Sequence, residues 1–148
     1  MSKPNVLVDR KALELNRNRA MGRDEYFLHE LAITEIKDRL SSINRDFQSI
    51  AIVSGLSTPW GQAFPKATII QDKENLNLAN DKYDLIIHGM ALHWANDPVG
   101  QLIQARLALK NDGLMIAVCL GGTTLNELRN VFIEAETKLF GGIHARFM

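Results

Sequence analysis

The stretch Tyr83-Asp84-Leu85-Ile86-Ile87-His88-Gly89-Met90-Ala91-Leu92-His93-Trp94, continued to Gly122, decides the fold. Asp84 opens a short apolar run, Leu85, Ile86 and Ile87, whose β-branched residues predict a strand. Positions 88–97 read as a loop carrying His88, His93 and Trp94. Pro98 follows at a helix start, where its missing N–H costs nothing. Val99, Leu102, Ile103, Leu107 and Leu109 then recur at helical spacing up to Lys110. Asn111-Asp112-Gly113 predicts the helix stop and a turn, and 114–120 a second apolar strand. Two apolar strands joined by an amphipathic helix make a βαβ unit, and such strands lie in a parallel sheet covered on both faces.

Composition narrows the function classes. A chain of 148 residues is expected to form a single domain, 1–148, with a helical segment over 1–46 and an α/β core over 47–148. Lys plus Arg, 17, equals Asp plus Glu, 17, so no global field points to nucleic acid or an acidic membrane surface. The single cysteine, Cys119, falls inside a predicted buried strand; it excludes an internal disulfide framework and fits a reducing cytoplasm. No apolar run approaches the roughly 20 residues of a membrane span. The N-terminus lacks the apolar stretch of a secretory signal. The expectation is a soluble, cytoplasmic α/β protein.

Upstream, Asp9 is an N-cap for a helix through about Met21, and Arg10, Arg17 and Arg19 read as its solvated face. Gly22 breaks that helix and Asp24 caps the next. There Phe27, Leu28, Leu31, Ile33, Ile36 and Leu40 mark a long amphipathic element ending near Asn44. Both helices precede the first strand, so they pack on the sheet's flank or form a lid over its C-terminal edge. The first strand spans 48–53, and its loop is Ser54-Gly55-Leu56-Ser57-Thr58-Pro59-Trp60-Gly61. In nucleotide-type folds this loop is glycine-rich, letting backbone N–H groups approach a ligand. Here only Gly55 and Gly61 are available beside bulky Leu56, Pro59 and Trp60. Pro65 ends the next helix early, and a short strand over 67–71 precedes Asp72 and a polar loop, 73–82. Beyond Gly121-Gly122, Thr123 or Thr124 caps a last helix with Leu125, Leu128, Val131, Phe132 and Ala135 on one face, ending before Gly141-Gly142.

Three segments together carry a resemblance: Asp84-Leu85-Ile86-Ile87, Leu92-His93-Trp94-Ala95-Asn96-Asp97 and Leu109-Lys110-Asn111-Asp112-Gly113. They resemble the second half of class I S-adenosylmethionine-dependent methyltransferases. Gly121-Gly122-Thr123-Thr124-Leu125-Asn126-Glu127-Leu128-Arg129 is similar to one branch of that superfamily. The branch holds the malonyl-carrier-protein methyltransferases of biotin synthesis and the mitochondrial complex I assembly factor 5 type, which includes an arginine-hydroxylase activity. The resemblance covers most of 9–148. It implies a reduced Rossmann-like fold: a mostly parallel sheet of about four strands, helices on both faces and two N-terminal helices.

The departures from the family pattern matter as much. In the family, the first strand ends in an acidic residue followed by a Gly-x-Gly-x-Gly loop around the methionine part of the cofactor. Here Ile52 or Val53 stands for the acid and Gly55 alone for the glycines. The unit carrying the ribose-binding carboxylate is missing, and 67–89 matches the family's third and fourth strands. Asp72 then corresponds to the acidic residue near the adenine amine. Losing two such features implies about 100-fold weaker cofactor binding or more. The apolar edge at 114–120 invites pairing with a second copy or a partner protein.

By resemblance, the cofactor S-adenosylmethionine, weakly held or lost, would touch Gly55, Asp72, His88 and Gly89. His93 would be the catalytic residue, a general base at the carboxyl edge of the sheet. The residues themselves also allow plainer roles: His93 capping local backbone, Trp94 packed under the next helix, Asp72 solvated, and Cys119 an inert core thiol. His88 and His93 have no third ligand at metal-binding spacing, so no metal site is expected. Two functions remain. One is methyl transfer from the cofactor to a small-molecule carboxylate or a protein side chain. The other is a non-catalytic binding or assembly module, as for a respiratory complex.

Overall fold

The computed structural model describes residues 6–20 and 26–143. In chain order the elements are α1 (Arg10–Ala20), α2 (Phe27–Ser41), β1 (Ile50–Val53), α3 (Thr58–Ala63), β2 (Thr68–Ile70) and β3 (Tyr83–Gly89). A short 3-10 turn (Leu92–Trp94), α4 (Pro98–Ala108), β4 (Leu109–Val118) and α5 (Asn126–Phe140) complete them. The strands form one four-stranded sheet in the order β2-β1-β3-β4, and every pairing is parallel. This is the reduced Rossmann-like α/β architecture expected from the sequence. The breaks expected at Gly22 and Asp24 lie outside the described residues.

Alternation along the strands sorts the core into two layers. Ala51 and Val53 of β1 and Ile86 of β3 pack with Ala105 and Ala108 of α4. Ile52 of β1, with Leu85 and Ile87 of β3, packs with Ala32, Ile33 and Ile36 of α2 and with Trp60 of α3. Asp84 joins two strands at their start: its carboxylate accepts from the Gln48 and Ser49 amides at 2.9–3.0 Å.

Helix α4 faces the sheet with a different side from the one its apolar spacing predicts. Val99, Leu102, Ile103 and Leu107 are exposed, whereas Gln101, Ala105 and Ala108 are buried. Two causes are visible. The alanines let the helix approach the strands closely, and Gln101 is held inward by two hydrogen bonds, to His88 and to the Lys73 carbonyl. The start is as read: Asp97 caps α4 by accepting from the Gly100 amide at 2.8 Å, with Pro98 in the first turn.

Three further expectations are corrected. Asn111-Asp112-Gly113 does not separate helix from strand; it lies within β4 as an irregularity, between the pairs Tyr83↔Leu109 and Leu85↔Leu114, with Asp112 at φ 62°. Cys119 lies just past the end of β4 and is exposed, not buried. Neither Thr123 nor Thr124 caps α5, because Leu125 occupies the N-cap in the left-handed region at φ 57°. Thr124 instead accepts from the Gly121 amide at 3.0 Å. No helix among the described residues is long and apolar enough to cross a membrane.

Candidate functional site

The carboxyl edge of the sheet gathers the loops after β1, β2 and β3, and α1 lies across it. Asp9 caps α1, accepting from the Lys11 and Ala12 amides at 3.0 and 3.1 Å. The preceding residues are tied down by Asn96, whose side-chain oxygen accepts from the Leu7 and Val8 amides at 2.7 and 2.8 Å. Of the two placements open to the N-terminal helices, α1 takes the edge and α2 the face.

Arg10 and Arg17 are not a solvated face. Arg17 donates to both carboxylate oxygens of Asp72, at 2.9 and 2.8 Å, the fork-on-carboxylate geometry of a strong ion pair. Arg10 donates to the Asp72 carbonyl at 2.7 Å, to its carboxylate at 3.3 Å and to the Trp94 carbonyl at 3.2 Å. Asp72 is 2% exposed, so its charge is compensated by these two guanidinium groups. Helical spacing alone cannot reveal this pairing. Arg10 and Arg17 are seven positions apart, about two turns, and so share one face. That shared face was the available signal.

Gly55 lies directly beneath the clamp. A Cβ there would stand 2.1–2.3 Å from the Arg17 guanidinium atoms, so the cation rests on bare backbone. Gly89 is covered likewise: a Cβ would meet the Trp60 ring at 2.5–2.8 Å. Trp60 is wholly buried, and its indole N–H donates to His29 Nδ1 at 3.0 Å. Both glycines therefore face groups of this chain. Arg10, Arg17, Gly55, Gln71 and Asp72 line a cleft of about 480 Å³. In this packing the residues do not fit the cofactor, because Arg17 fills the Gly55 cradle and both Asp72 oxygens are engaged.

His88 is on β3, not in the following loop, and is wholly buried. Its Nε2–H donates to Gln101 Oε1 at 2.9 Å, since the Gln101 amide nitrogen is already donating to Lys73 O. Nδ1 is left buried and without a hydrogen-bond partner. Burial pushes the His88 pKa below the usual histidine value, against the opposing Gln101 hydrogen bond and the Asp72 charge. His93 is likewise held down, first by burial and then by Arg17, so it is neutral near pH 7. Its Nδ1 accepts from the Leu120 amide at the long distance of 3.5 Å, and its ring lies 5.0 Å from that of Trp94. Trp94 is part-exposed. His93 lines a second cavity of about 220 Å³ with Arg129 of α5. No cluster of three metal-ligating side chains occurs among the described residues.

No protein-family profile matches the chain, and no solved structure matches it. Curated relatives do. The chain is 34% identical over 101 residues to the human mitochondrial arginine-hydroxylase NDUFAF5, covering 68% of this chain and 29% of that protein. It is 32% identical over 106 residues to the biotin biosynthesis bifunctional protein BioHC of Saccharophagus degradans, covering 68% and 19%. It is 38% identical over 66 residues to a malonyl-acyl-carrier-protein O-methyltransferase of Laribacter hongkongensis, covering 45% and 22%. The chain thus spans under a third of the length of these relatives. With the parallel sheet and the His-Trp turn at its carboxyl edge, these likenesses identify the chain as a member of the S-adenosylmethionine methyltransferase-like family, in the branch that holds the malonyl-carrier-protein methyltransferases and NDUFAF5.

Proposed function

We propose that this methyltransferase-family chain works as a non-catalytic binding or assembly module whose cofactor cleft is held shut by its own first helix. One observation carries the reading: the Arg17 guanidinium sits on Gly55 while gripping both oxygens of Asp72. Gly55 and Asp72 are two of the residues that the family resemblance gives to S-adenosylmethionine. Opening the cleft means breaking the Arg17–Asp72 ion pair and uncovering the buried Asp72 carboxylate, a cost that opposes ligand binding. The partner surface is the outer side of β4, one of the two edge strands, which pairs with no other described strand and where a second copy or a strand of another protein would pair. A lone exposed cysteine with no partner within the chain supports a reducing compartment such as the cytoplasm.

The alternative is methyl transfer to a small-molecule carboxylate or a protein side chain, with His93 near the reacting centre and α1 acting as a lid. It is favoured by the open volume beside Asp72, about 480 Å³. Calorimetric titration with S-adenosylmethionine and S-adenosylhomocysteine separates the two. The module reading expects no heat and no thermal stabilisation at sub-millimolar ligand. Saturable binding by the native chain would overturn it. Binding that appears only in Arg17→Ala would show that the clamp alone closes an otherwise competent cleft.

A further inference from the structure

We infer that the cavity between the His93 turn and the start of α5 is a docking pocket for an acidic side chain of a partner polypeptide. The inference rests on the module reading and names the chemistry of its partner. Arg129, in the first turn of α5, lines this cavity of about 220 Å³ and forms no ion pair among the described residues. Its Nε–H is buried and has no hydrogen-bond partner. A buried, permanently charged donor without an acceptor is costly, and a carboxylate is the group that satisfies a guanidinium fork.

The cavity's other features suit the same guest. No carboxylate is among the described residues that line it, so none of them competes for Arg129. His93 is held neutral and uses Nδ1 as an acceptor toward the Leu120 amide, which leaves Nε2–H as a second donor. The rim is apolar and solvent-facing, formed by Leu120, Leu125 and Leu128. An exposed apolar rim around a half-buried cation whose Nε–H is buried fits a polypeptide that brings an acidic residue between apolar neighbours. A small hydrophilic acid would leave that rim uncovered.

The probe is the blocked tetrapeptide acetyl-Leu-Leu-Glu-Leu-amide, compared with its Gln counterpart and with butyrate. Binding to the full chain is followed by the Arg129 Nε–H and the Gly121 and Gly122 amide resonances. The Glu peptide is expected to bind saturably, to move the Nε–H signal, and to bind at least about tenfold more tightly than the Gln peptide. Arg129→Met should remove that difference, and Arg129→Lys should retain part of it. Equal binding of the two peptides or an unmoved Nε–H overturns the inference. So does butyrate binding as tightly as the Glu peptide, which would assign the pocket to free acids. The peptide comparison on the native chain decides the matter even if Arg129→Met fails to fold. It involves no cofactor, so a chain that also bound S-adenosylmethionine would sink the module reading while leaving this result intact.

Discussion

Arg17 and Asp72 are 55 positions apart, yet the guanidinium of one meets both carboxylate oxygens of the other at 2.8–2.9 Å. That pair fixes α1 across the carboxyl edge of the sheet. Asp72 is almost wholly buried, so removing its partner leaves a charge with only Arg10 to compensate it. Arg17→Ala should therefore destabilise the chain by about 3 kcal/mol in urea denaturation, the lower end for a broken buried pair. Because the charges act together, the Arg17→Ala/Asp72→Ala double variant should lose clearly less than the two single losses added. Simple additivity would show that the pair is not coupled.

The parallel βαβ frame was legible because 85–87 and 114–118 are apolar and Pro98 marks the helix between them. Facing was less legible. On α4, polar Gln101 is buried because His88 and a loop carbonyl both need it, while larger apolar residues stay outside. Periodicity weighs side-chain hydrophobicity and is blind to such a hydrogen-bond demand. Of the candidate site, the sequence named the positions Gly55, Asp72, His88, Gly89 and His93 by resemblance. It could not show what covers them, since Arg17, Trp60 and His29 reach the edge only through tertiary packing.

Gly89 tests the second covered glycine. A Cβ there would stand 2.5 Å from a fully buried, rigid indole, so backbone or ring must shift. Gly89→Ala should cost about 1–3 kcal/mol by overpacking. Adding Trp60→Phe, which shortens the ring system, should recover part of the loss. A Gly89→Ala chain as stable as the native one would refute the close approach.

Acidification probes one buried and two half-buried histidines. His29, His88 and His93 all have pKa values lowered from 6.5, in each case chiefly by burial. The unfolded chain therefore takes up protons near pH 6.5, and the folded chain only at lower pH. Between those values the unfolded state holds more protons, so stability rises with pH and is fully present above about 6.5. Urea midpoints should hold nearly level from pH 7.5 to about 6.5 and fall as the pH drops further to 5.5. A midpoint that stays level or climbs over that lower range would mean that these rings are already accessible to protons in the native state.

Cys119 ties exposure to the free strand edge. It follows Val118, the last residue of the edge strand β4, and it is exposed. In dilute native protein it should react with an aromatic disulfide reagent almost as fast as in urea, since no packing shields the sulfur. If a second copy pairs along β4, labelling should slow as protein concentration rises, because the paired edge brings a neighbour against position 119. A native rate far below the unfolded one at every concentration would contradict the exposed placement. A rate that stays fast and independent of concentration would keep the placement but count against self-pairing through this edge.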